Sequence, residues 1–152
     1  MKKNLRAHAS NAVILVAEDD EDDALILSRT CRKAGLHIRL HFVENGTQAI
    51  DYLDGYGKYG DREQFPKPDV LILDLKMPRS DGFDVLAWLR NSPDVPQIPV
   101  VILTDSSLPK DKVMAHQLGA SRYYVKDADP YRTQKMWLDI CREWLKDEPV
   151  VG

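Results

Sequence analysis

The sequence has little of several features that would assign it to a class directly. It contains only two cysteines, Cys31 and Cys141, which form neither a CxxC pair nor a spacing typical of a metal site. The formal net charge is −3, so no global basic field favours nucleic acid or an anionic membrane. No stretch approaches the roughly 18 consecutive apolar residues that a membrane-spanning helix requires. We therefore expect a cytoplasmic protein with two buried, reduced thiols and no direct contact with nucleic acid or membrane.

The first eleven residues also lack the apolar run of a signal peptide, although they carry Lys2, Lys3 and Arg6. A length of 152 residues fits one domain, and 43% hydrophobic residues suffice for one sizeable core. We expect a flexible tail at residues 1–11, a single domain at residues 12–148 and a short tail at residues 149–152.

Five short apolar segments, each bounded by polar or turn residues, predict strands that are buried on both faces. These segments are Val13–Ala17, Ile38–Val43, Val70–Leu73, Val100–Leu103 and Tyr123–Val125. A helical pattern follows each strand. The first begins near Asp22 or Asp23, one of which is the expected N-cap, and stops at Gly35. The others are predicted at Thr47–Leu53, after Asp81-Gly82, after an N-cap at Ser107, and at Tyr131–Leu145.

This alternation predicts a single-domain, doubly wound (βα)5 sandwich of the α/β class with a parallel sheet. Such a sheet collects its functional residues at the carboxyl ends of its strands. The segment Asp54–Asp69 is long for a connection in this architecture. We expect a solvated loop there, with a functional role as the alternative.

Chemically active side chains follow four of the five predicted strands: Glu18 and Asp19, Asp74, Thr104, and Lys126. Carboxylates brought close together repel one another unless a cation lies between them, and Mg²⁺ prefers such oxygen ligands. Phosphoryl transfer depends mostly on positioning and on neutralising the phosphoryl oxygens. The set therefore predicts an aspartyl-phosphate site with Asp74 as the nucleophile.

Four motifs resemble the receiver domains of two-component response regulators. They are Val16–Asp20 (VAEDD), Leu73–Gly82 (LDLKMPRSDG), Ile102–Thr104 (ILT), and the run from Gly119-Ala120-Ser121 to Lys126. The resemblance covers about residues 12 to 147. It implies a flavodoxin-like fold, with a parallel sheet in the order 2-1-3-4-5.

The resemblance also implies a role for each matching residue. Glu18 and Asp19 match the acidic pair that helps to bind Mg²⁺, and Lys76 matches the residue whose backbone carbonyl is a further metal ligand. Asp74 matches the phosphoacceptor, which is itself a ligand, and Lys126 matches the lysine that pairs with the phosphoryl oxygens. Thr104 and Tyr123 match the switch hydroxyl and the switch aromatic residue.

The implied function is that of a single-domain response regulator, since no attached output domain follows the motifs. Such a protein accepts a phosphoryl group from a histidine kinase, catalyses its own Mg²⁺-dependent phosphorylation and dephosphorylation, and signals to a downstream protein. The long segment before Asp69 and the tryptophan-rich last helix most resemble the phytochrome-associated branch, whose kinase is of the phytochrome type.

Two residues depart from the family pattern. Asp105 replaces the usual small residue after the threonine, and Asp127 replaces the usual proline after the lysine. Both are expected to modulate switching and kinetics, and the bond between Lys126 and Asp127 is expected to be trans. The departures favour one alternative, a receiver-fold interaction module that works without phosphorylation. A haloacid-dehalogenase-like hydrolase is a second alternative, but its nucleophile follows the first strand.

The last helix has a wide apolar arc: Met136, Trp137, Ile140, Cys141, Trp144 and Leu145. This arc is wider than packing against one sheet requires. Deep burial within the domain is one explanation. We favour the other, a homodimer formed through this helix and the fifth strand.

Overall fold

The fold is a three-layer α/β sandwich, seen in a computed structural model that describes residues 11–145. Its strands are β1 (Val13–Ala17), β2 (Arg39–Val43), β3 (Val70–Leu73), β4 (Val100–Thr104) and β5 (Arg122–Val125). All neighbouring pairs are parallel, and the order is β2-β1-β3-β4-β5. The predicted doubly wound, flavodoxin-like fold is therefore confirmed. The predicted strand bounds are correct to within one residue. The predicted tails lie outside the described residues, apart from Asn11.

The helices alternate with the strands. They are α1 (Glu21–Lys33), α2 (Gly46–Asp54), α3 (Gly82–Arg90), α4 (Pro109–Gln117) and α5 (Pro130–Ile140), which continues into a π-helical turn at Cys141–Leu145. A short 3₁₀ helix, Gly57–Gly60, lies between α2 and β3. In the described part of the chain, no helix is long and apolar enough to cross a membrane.

The strands build a core on each face of the sheet because successive side chains point to opposite sides. Leu15, Leu71 and Ile102 belong to the core that packs under α2, α3 and α4. Ile14 and Ile72 belong to the core under α1 and α5. Burial on both faces is thus confirmed for β1, β3 and β4. The prediction is wrong for β2 and β5, whose residues are mostly exposed or half-buried because these strands form the edges of the sheet.

Two helix starts differ from the prediction. Asp20 is the N-cap of α1, and its side chain accepts the backbone N–H groups of Asp22 and Asp23. The cap lies earlier than predicted because the loop after β1 is short. Leu108 occupies the N-cap position of α4, while the predicted cap Ser107 is solvent-exposed.

Most of the segment between α2 and β3 is solvent-exposed, as expected for a loop, but a few of its side chains pack against α2. Tyr59 is buried, and its ring lies 5.1 Å from that of Tyr52 and 5.0 Å from that of Phe65. The Tyr52 hydroxyl donates a hydrogen bond to the carbonyl of Pro66 at 2.8 Å. Aromatic contacts therefore hold this extension against α2.

The apolar arc of the last helix is mostly accounted for within the domain. Met136, Trp137, Ile140 and Cys141 are at most 1% exposed, and Trp144 and Leu145 are partly buried against the same core. The Trp137 indole N–H donates to the Thr30 hydroxyl of α1 at 3.1 Å. The explanation by deep burial thus holds for most of the arc, and the homodimer stays a prediction. Cys31 and Cys141 are both buried, and no disulfide joins them.

Candidate functional site

The carboxyl ends of two adjacent strands, β1 and β3, bring three acidic side chains together. Glu18 and Asp19 directly follow β1, and Asp74 directly follows β3. One oxygen of each carboxylate lies within 4.8 Å of the others. Glu18 and Asp74 are each 5% exposed, whereas Asp19 faces solvent. The sheet order produces this cluster, since residues far apart in sequence follow adjacent strands.

Lys126 extends over this cluster from the end of β5. Its Nζ lies 2.7 Å from Glu18 Oε1, 2.9 Å from Asp74 Oδ2 and 2.8 Å from Asp23 Oδ2. The Lys126 backbone N–H donates to the carbonyl of Thr104 at 2.8 Å, which continues the pairing of β5 with β4. The edge therefore holds one ammonium among three carboxylates at contact distance.

Backbone groups engage the second oxygens of the two buried carboxylates. Glu18 Oε2 accepts the N–H of Asp20 at 3.1 Å, and Asp74 Oδ1 accepts the N–H of Lys76 at 3.1 Å. Burial raises the pKa of Glu18 to about 7, even though Lys126 and the Asp20 N–H both lower it. Burial also lowers the pKa of Lys126, but the hydrogen bonds to the carboxylates outweigh this effect and raise the pKa above its ordinary value.

The loop from Asp74 to α3 is held in a constrained path. Gly82 donates its N–H to the carbonyl of Leu75 at 3.0 Å, and a Cβ on Gly82 would lie 2.5 Å from the Asp74 carbonyl oxygen. Arg79 and Ser80 both adopt left-handed backbone conformations, with φ of 47° and 71°. Such conformations are unfavourable for residues with side chains and persist only where the surroundings impose them.

The N-terminus of α2 supplies that constraint. The backbone N–H groups of Gly46 and Thr47 donate to the carbonyls of Ser80 and Arg79 at 3.1 and 3.0 Å. The Thr47 hydroxyl donates to the same Arg79 carbonyl at 3.0 Å. Because the first N–H groups of a helix lack partners inside the helix, they are suited to hold carbonyls of another segment. The loop that carries Lys76 is thereby fixed next to Asp74.

The predicted switch residues are connected through one serine. Thr104 is fully buried, and its Oγ1 accepts the N–H of Ser106 at 3.5 Å. The Tyr123 hydroxyl donates to the Ser106 carbonyl at 2.9 Å, and the Ser106 hydroxyl bonds to Asp111 of α4. Desolvation raises the pKa of Tyr123, so this hydroxyl is a donor at neutral pH. A displacement of the β4–α4 loop would thus alter the hydrogen bonds of both Thr104 and Tyr123.

The two departures from the family pattern lie at the rim of the site. Asp105 and Asp127 are both exposed. Asp127 Oδ1 accepts the N–H of Asp129 at 2.8 Å, and its other oxygen lies 3.4 Å from Arg132 Nε. In the described part of the chain there is no cis peptide, so the expected trans bond after Lys126 is confirmed.

The sequence reasoning missed two residues of this network. Asp23 was expected to do no more than cap α1, yet its side chain contacts Lys126. Its signal is the spacing: with Asp20 as N-cap, Asp23 occupies the third helical position, beside the strand ends. Ser106 was not singled out, and nothing in its sequence context distinguishes a buried serine from a solvated one.

The donor set fits a hard divalent cation. Carboxylate oxygens are the ligands that Mg²⁺ prefers, and one or two of them with water and a phosphoryl oxygen complete its shell. Glu18, Asp19 and Asp74 supply three such oxygens within 4.8 Å. The nucleophile candidate follows β3 and not β1, which argues against the hydrolase arrangement.

Comparison with known proteins identifies the family. Residues 14–137 match the response regulator receiver domain model. The chain is 31% identical over 134 residues to response regulator Rcp1 of Synechocystis sp., covering 88% of this chain and 89% of that protein. It is similar in structure to response regulator RPA3017 in red light signaling of R. palustris, with a TM-score of 0.83, 32% identity and coverage of 93% and 99% of the two chains.

Two further structures match at similar levels. The phosphorylated cyanobacterial phytochrome response regulator RcpA gives a TM-score of 0.78 at 28% identity, covering 88% of this chain and 94% of that one. The Mn²⁺-bound form of Rcp1 gives a TM-score of 0.76 at 30% identity, covering 93% and 99%. The predicted resemblance is thereby confirmed, and the chain belongs to the response regulator receiver family.

Proposed function

We propose that this protein accepts a phosphoryl group from a histidine kinase on Asp74 in a Mg²⁺-dependent reaction and relays the signal by protein–protein interaction. The single observation that carries the proposal is the position of Asp74. Its carboxylate belongs to the acidic cluster suited to a cation, and it also contacts the ammonium of Lys126 at 2.9 Å, so a cation bound in the cluster would place positive charge on its other side. A nucleophile flanked by positive charge on both sides is what phosphoryl transfer to a carboxylate requires.

In this proposal, Glu18, Asp19 and Asp74 hold Mg²⁺ together with the backbone carbonyl of Lys76. Bound Mg²⁺ neutralises charge on the phosphoryl oxygens. An Asp74 oxygen forms the new bond to phosphorus, and the bond from phosphorus to the histidine nitrogen of the donor breaks.

Lys126 and Thr104 serve the other phosphoryl oxygens. The Lys126 ammonium already lies next to Asp74, and Thr104 is the last residue of the neighbouring strand β4. Movement of Thr104 toward the phosphoryl group would displace Ser106 and with it the hydrogen bond from Tyr123. Tyr123 and the β4–α4 loop then present a changed surface to the downstream protein.

The upstream partner that we propose is a phytochrome-type histidine kinase. Two of the similar structures are described as a phytochrome response regulator and as a regulator in red light signaling. The proposed compartment is the cytoplasm. A homodimer through β5 and α5 remains a proposal. The exposed side chains of Val125 and Tyr131 could supply apolar contacts in such an interface.

Intact-mass spectrometry tests the central proposal. We would incubate the chain with phosphoramidate, whose P–N bond imitates phosphohistidine, with Mg²⁺ or with EDTA. The wild type should gain one phosphoryl group with Mg²⁺ only, Asp74→Asn should gain none, and the exposed control Asp94→Asn should behave as wild type. Equal modification of Asp74→Asn would refute the assignment of Asp74.

The alternative is an interaction module that works without phosphorylation. Asp105 and Asp127 favour it, because both place negative charge at the rim of a site that must receive an anion. In that case the folded wild type would remain unmodified by phosphoramidate, with Mg²⁺ as well as with EDTA.

A further inference from the structure

The ion-pair network around Lys126 contains one carboxylate that lies outside the acidic cluster. Lys126 Nζ contacts Asp23 Oδ2 at 2.8 Å, closer than Asp74 Oδ2 at 2.9 Å. The three oxygens that lie within 4.8 Å of one another come from other residues: Glu18, Asp19 and Asp74. Asp23 is therefore in contact with the ammonium without being placed to bind the cation.

A cation and the ammonium compete for the same two side chains. Lys126 contacts one oxygen of Glu18 and one of Asp74, and backbone N–H groups engage the second oxygen of each. A divalent ion entering the cluster must share or take these oxygens. The ammonium loses part of its partnership when this happens, and an unpaired buried charge is strongly unfavourable.

Asp23 is positioned to compensate for that loss. Its backbone N–H donates to the N-cap Asp20 at 3.0 Å, so the start of α1 fixes its place without help from the cluster. Its side chain is 35% exposed, against 2% for Glu18 and 6% for Asp74. Because its position depends on α1 and not on the acidic cluster, Asp23 can pair with the ammonium whatever the cluster binds.

We propose that Asp23 is a positioning residue that holds the Lys126 ammonium while Glu18 and Asp74 bind the cation. It acts through Lys126 and touches neither the metal nor the phosphoryl donor. The inference rests on the proposed function and deepens it, since it explains how one site accommodates both a lysine and a divalent ion. Without Asp23, the ammonium depends on Glu18 and Asp74 alone and competes with Mg²⁺ for their oxygens.

The test is a calorimetric titration of the full chain with Mg²⁺, without any phosphodonor. Asp23→Asn keeps the size of the side chain and removes its charge. We expect Mg²⁺ to bind about fivefold more weakly to this variant. The matched control is Asp22→Asn, which removes the same charge from the neighbouring, exposed position in the same helical turn. It should change the affinity by less than about twofold at 0.15 M salt.

A second pair of variants separates action through Lys126 from a general charge effect. Lys126→Met removes the competing ammonium and should bind Mg²⁺ at least as tightly as the wild type. Adding Asp23→Asn to Lys126→Met should cause no further loss if Asp23 acts through the ammonium. A fivefold loss in both backgrounds would overturn the inference, because Asp23 would then act on the metal directly.

The outcomes also separate the inference from the proposed function. A wild type that binds no Mg²⁺ overturns the proposed function. A wild type that binds Mg²⁺, with Asp23→Asn no weaker than Asp22→Asn, overturns only the role of Asp23. Near-ultraviolet circular dichroism of each variant establishes that the comparison is made between folded proteins.

Discussion

Two half-buried cationic side chains of this domain differ in their partners: Lys126 contacts charged carboxylates, whereas Arg62 contacts neutral backbone carbonyls. At the carboxyl end of the sheet, Lys126 contacts the carboxylates of Glu18, Asp23 and Asp74 at 2.7 to 2.9 Å. In the extension between α2 and β3, Arg62 donates to backbone carbonyls. Its acceptors are the carbonyls of Tyr52 at 2.8 Å, Phe65 at 3.2 Å and Leu53 at 3.2 Å.

The difference in partners separates a site that can change from one that is fixed. Carboxylates can bind another cation, so the contacts of Lys126 can be redistributed, as the proposed function requires. The carbonyls of Tyr52 and Leu53 lie in the last turn of α2, where few helical N–H groups remain to pair with them, and Arg62 donates to both. The Tyr52 carbonyl also accepts the Gly55 N–H at 3.2 Å. Lys126 therefore belongs to a network suited to signalling, whereas Arg62 is a structural cross-link between α2 and the extension.

The largest expected effect comes from Lys126→Met, which leaves three carboxylates without their cation. In EDTA, we expect the free energy of unfolding to fall by about 3 kcal/mol, as for other buried pairs that lose one partner. Mg²⁺ should restore part of this loss because it supplies positive charge to the same carboxylates. Urea denaturation with EDTA and with Mg²⁺ measures both effects, and the exposed Lys135→Met is the control. An equal loss in both conditions would contradict the comparison.

Arg62→Met should have a smaller effect of a different kind. We expect about 1 to 2 kcal/mol of destabilisation, from the lost hydrogen bonds to the α2 carbonyls and the extension. Because these acceptors are uncharged and remote from the acidic cluster, the loss should be the same with EDTA and with Mg²⁺. The same urea experiment tests it, with the exposed Arg29→Met as control. A Mg²⁺-dependent loss would show that the extension and the site are coupled.

Asp19→Asn should alter metal binding more than stability. Asp19 is exposed. Lys126 contacts the other two members of the acidic cluster, Glu18 and Asp74. The loss of one ligand charge should weaken Mg²⁺ binding about tenfold, while the unfolding free energy changes little. Calorimetric titration measures the affinity. An unchanged titration would remove Asp19 from the metal site.

The smallest effect is expected for Asp105→Ala. Asp105 is exposed, and we expect its carboxylate to repel small anionic phosphodonors. Its removal should therefore speed phosphorylation by acetyl phosphate about twofold at low ionic strength. The gain should vanish at high salt, where screening removes the repulsion. Asp105→Asn separates charge from bulk, since it removes the charge alone. If neither variant reacts faster at any salt concentration, the side chain has no influence on the donor.

The strands were more predictable than the contacts of the helix ends. The predicted apolar segments Val70–Leu73 and Val100–Leu103 match strands to within one residue, since burial on both faces demands such sequences. The cap of α1 was placed wrongly because Asp20, Asp22 and Asp23 are chemically equivalent in sequence. Their distinct roles depend on where the chain turns after β1.

The packing of the extension before β3 could not be predicted for another reason. Tyr59, Phe65 and Arg62 lie among glycines, prolines and charged residues, a composition that is typical of a solvated loop. Their packing depends on Tyr52 of α2, whose ring contacts both aromatic residues. Contacts between separate segments leave no local pattern in either one.

The sequence by itself determined the order of strands and helices and the residue types that end each strand. The periodicity of apolar residues follows their burial, and side-chain chemistry is local, so Glu18, Asp74 and Lys126 could be predicted as candidate site residues without coordinates. The tertiary structure decided which groups touch. It places the Asp23 carboxylate in contact with Lys126 and connects Tyr123 to Thr104 through Ser106. It also buries most of the apolar arc of α5 within the domain. These results depend on the relative positions of elements far apart in the chain, which packing of the whole domain fixes.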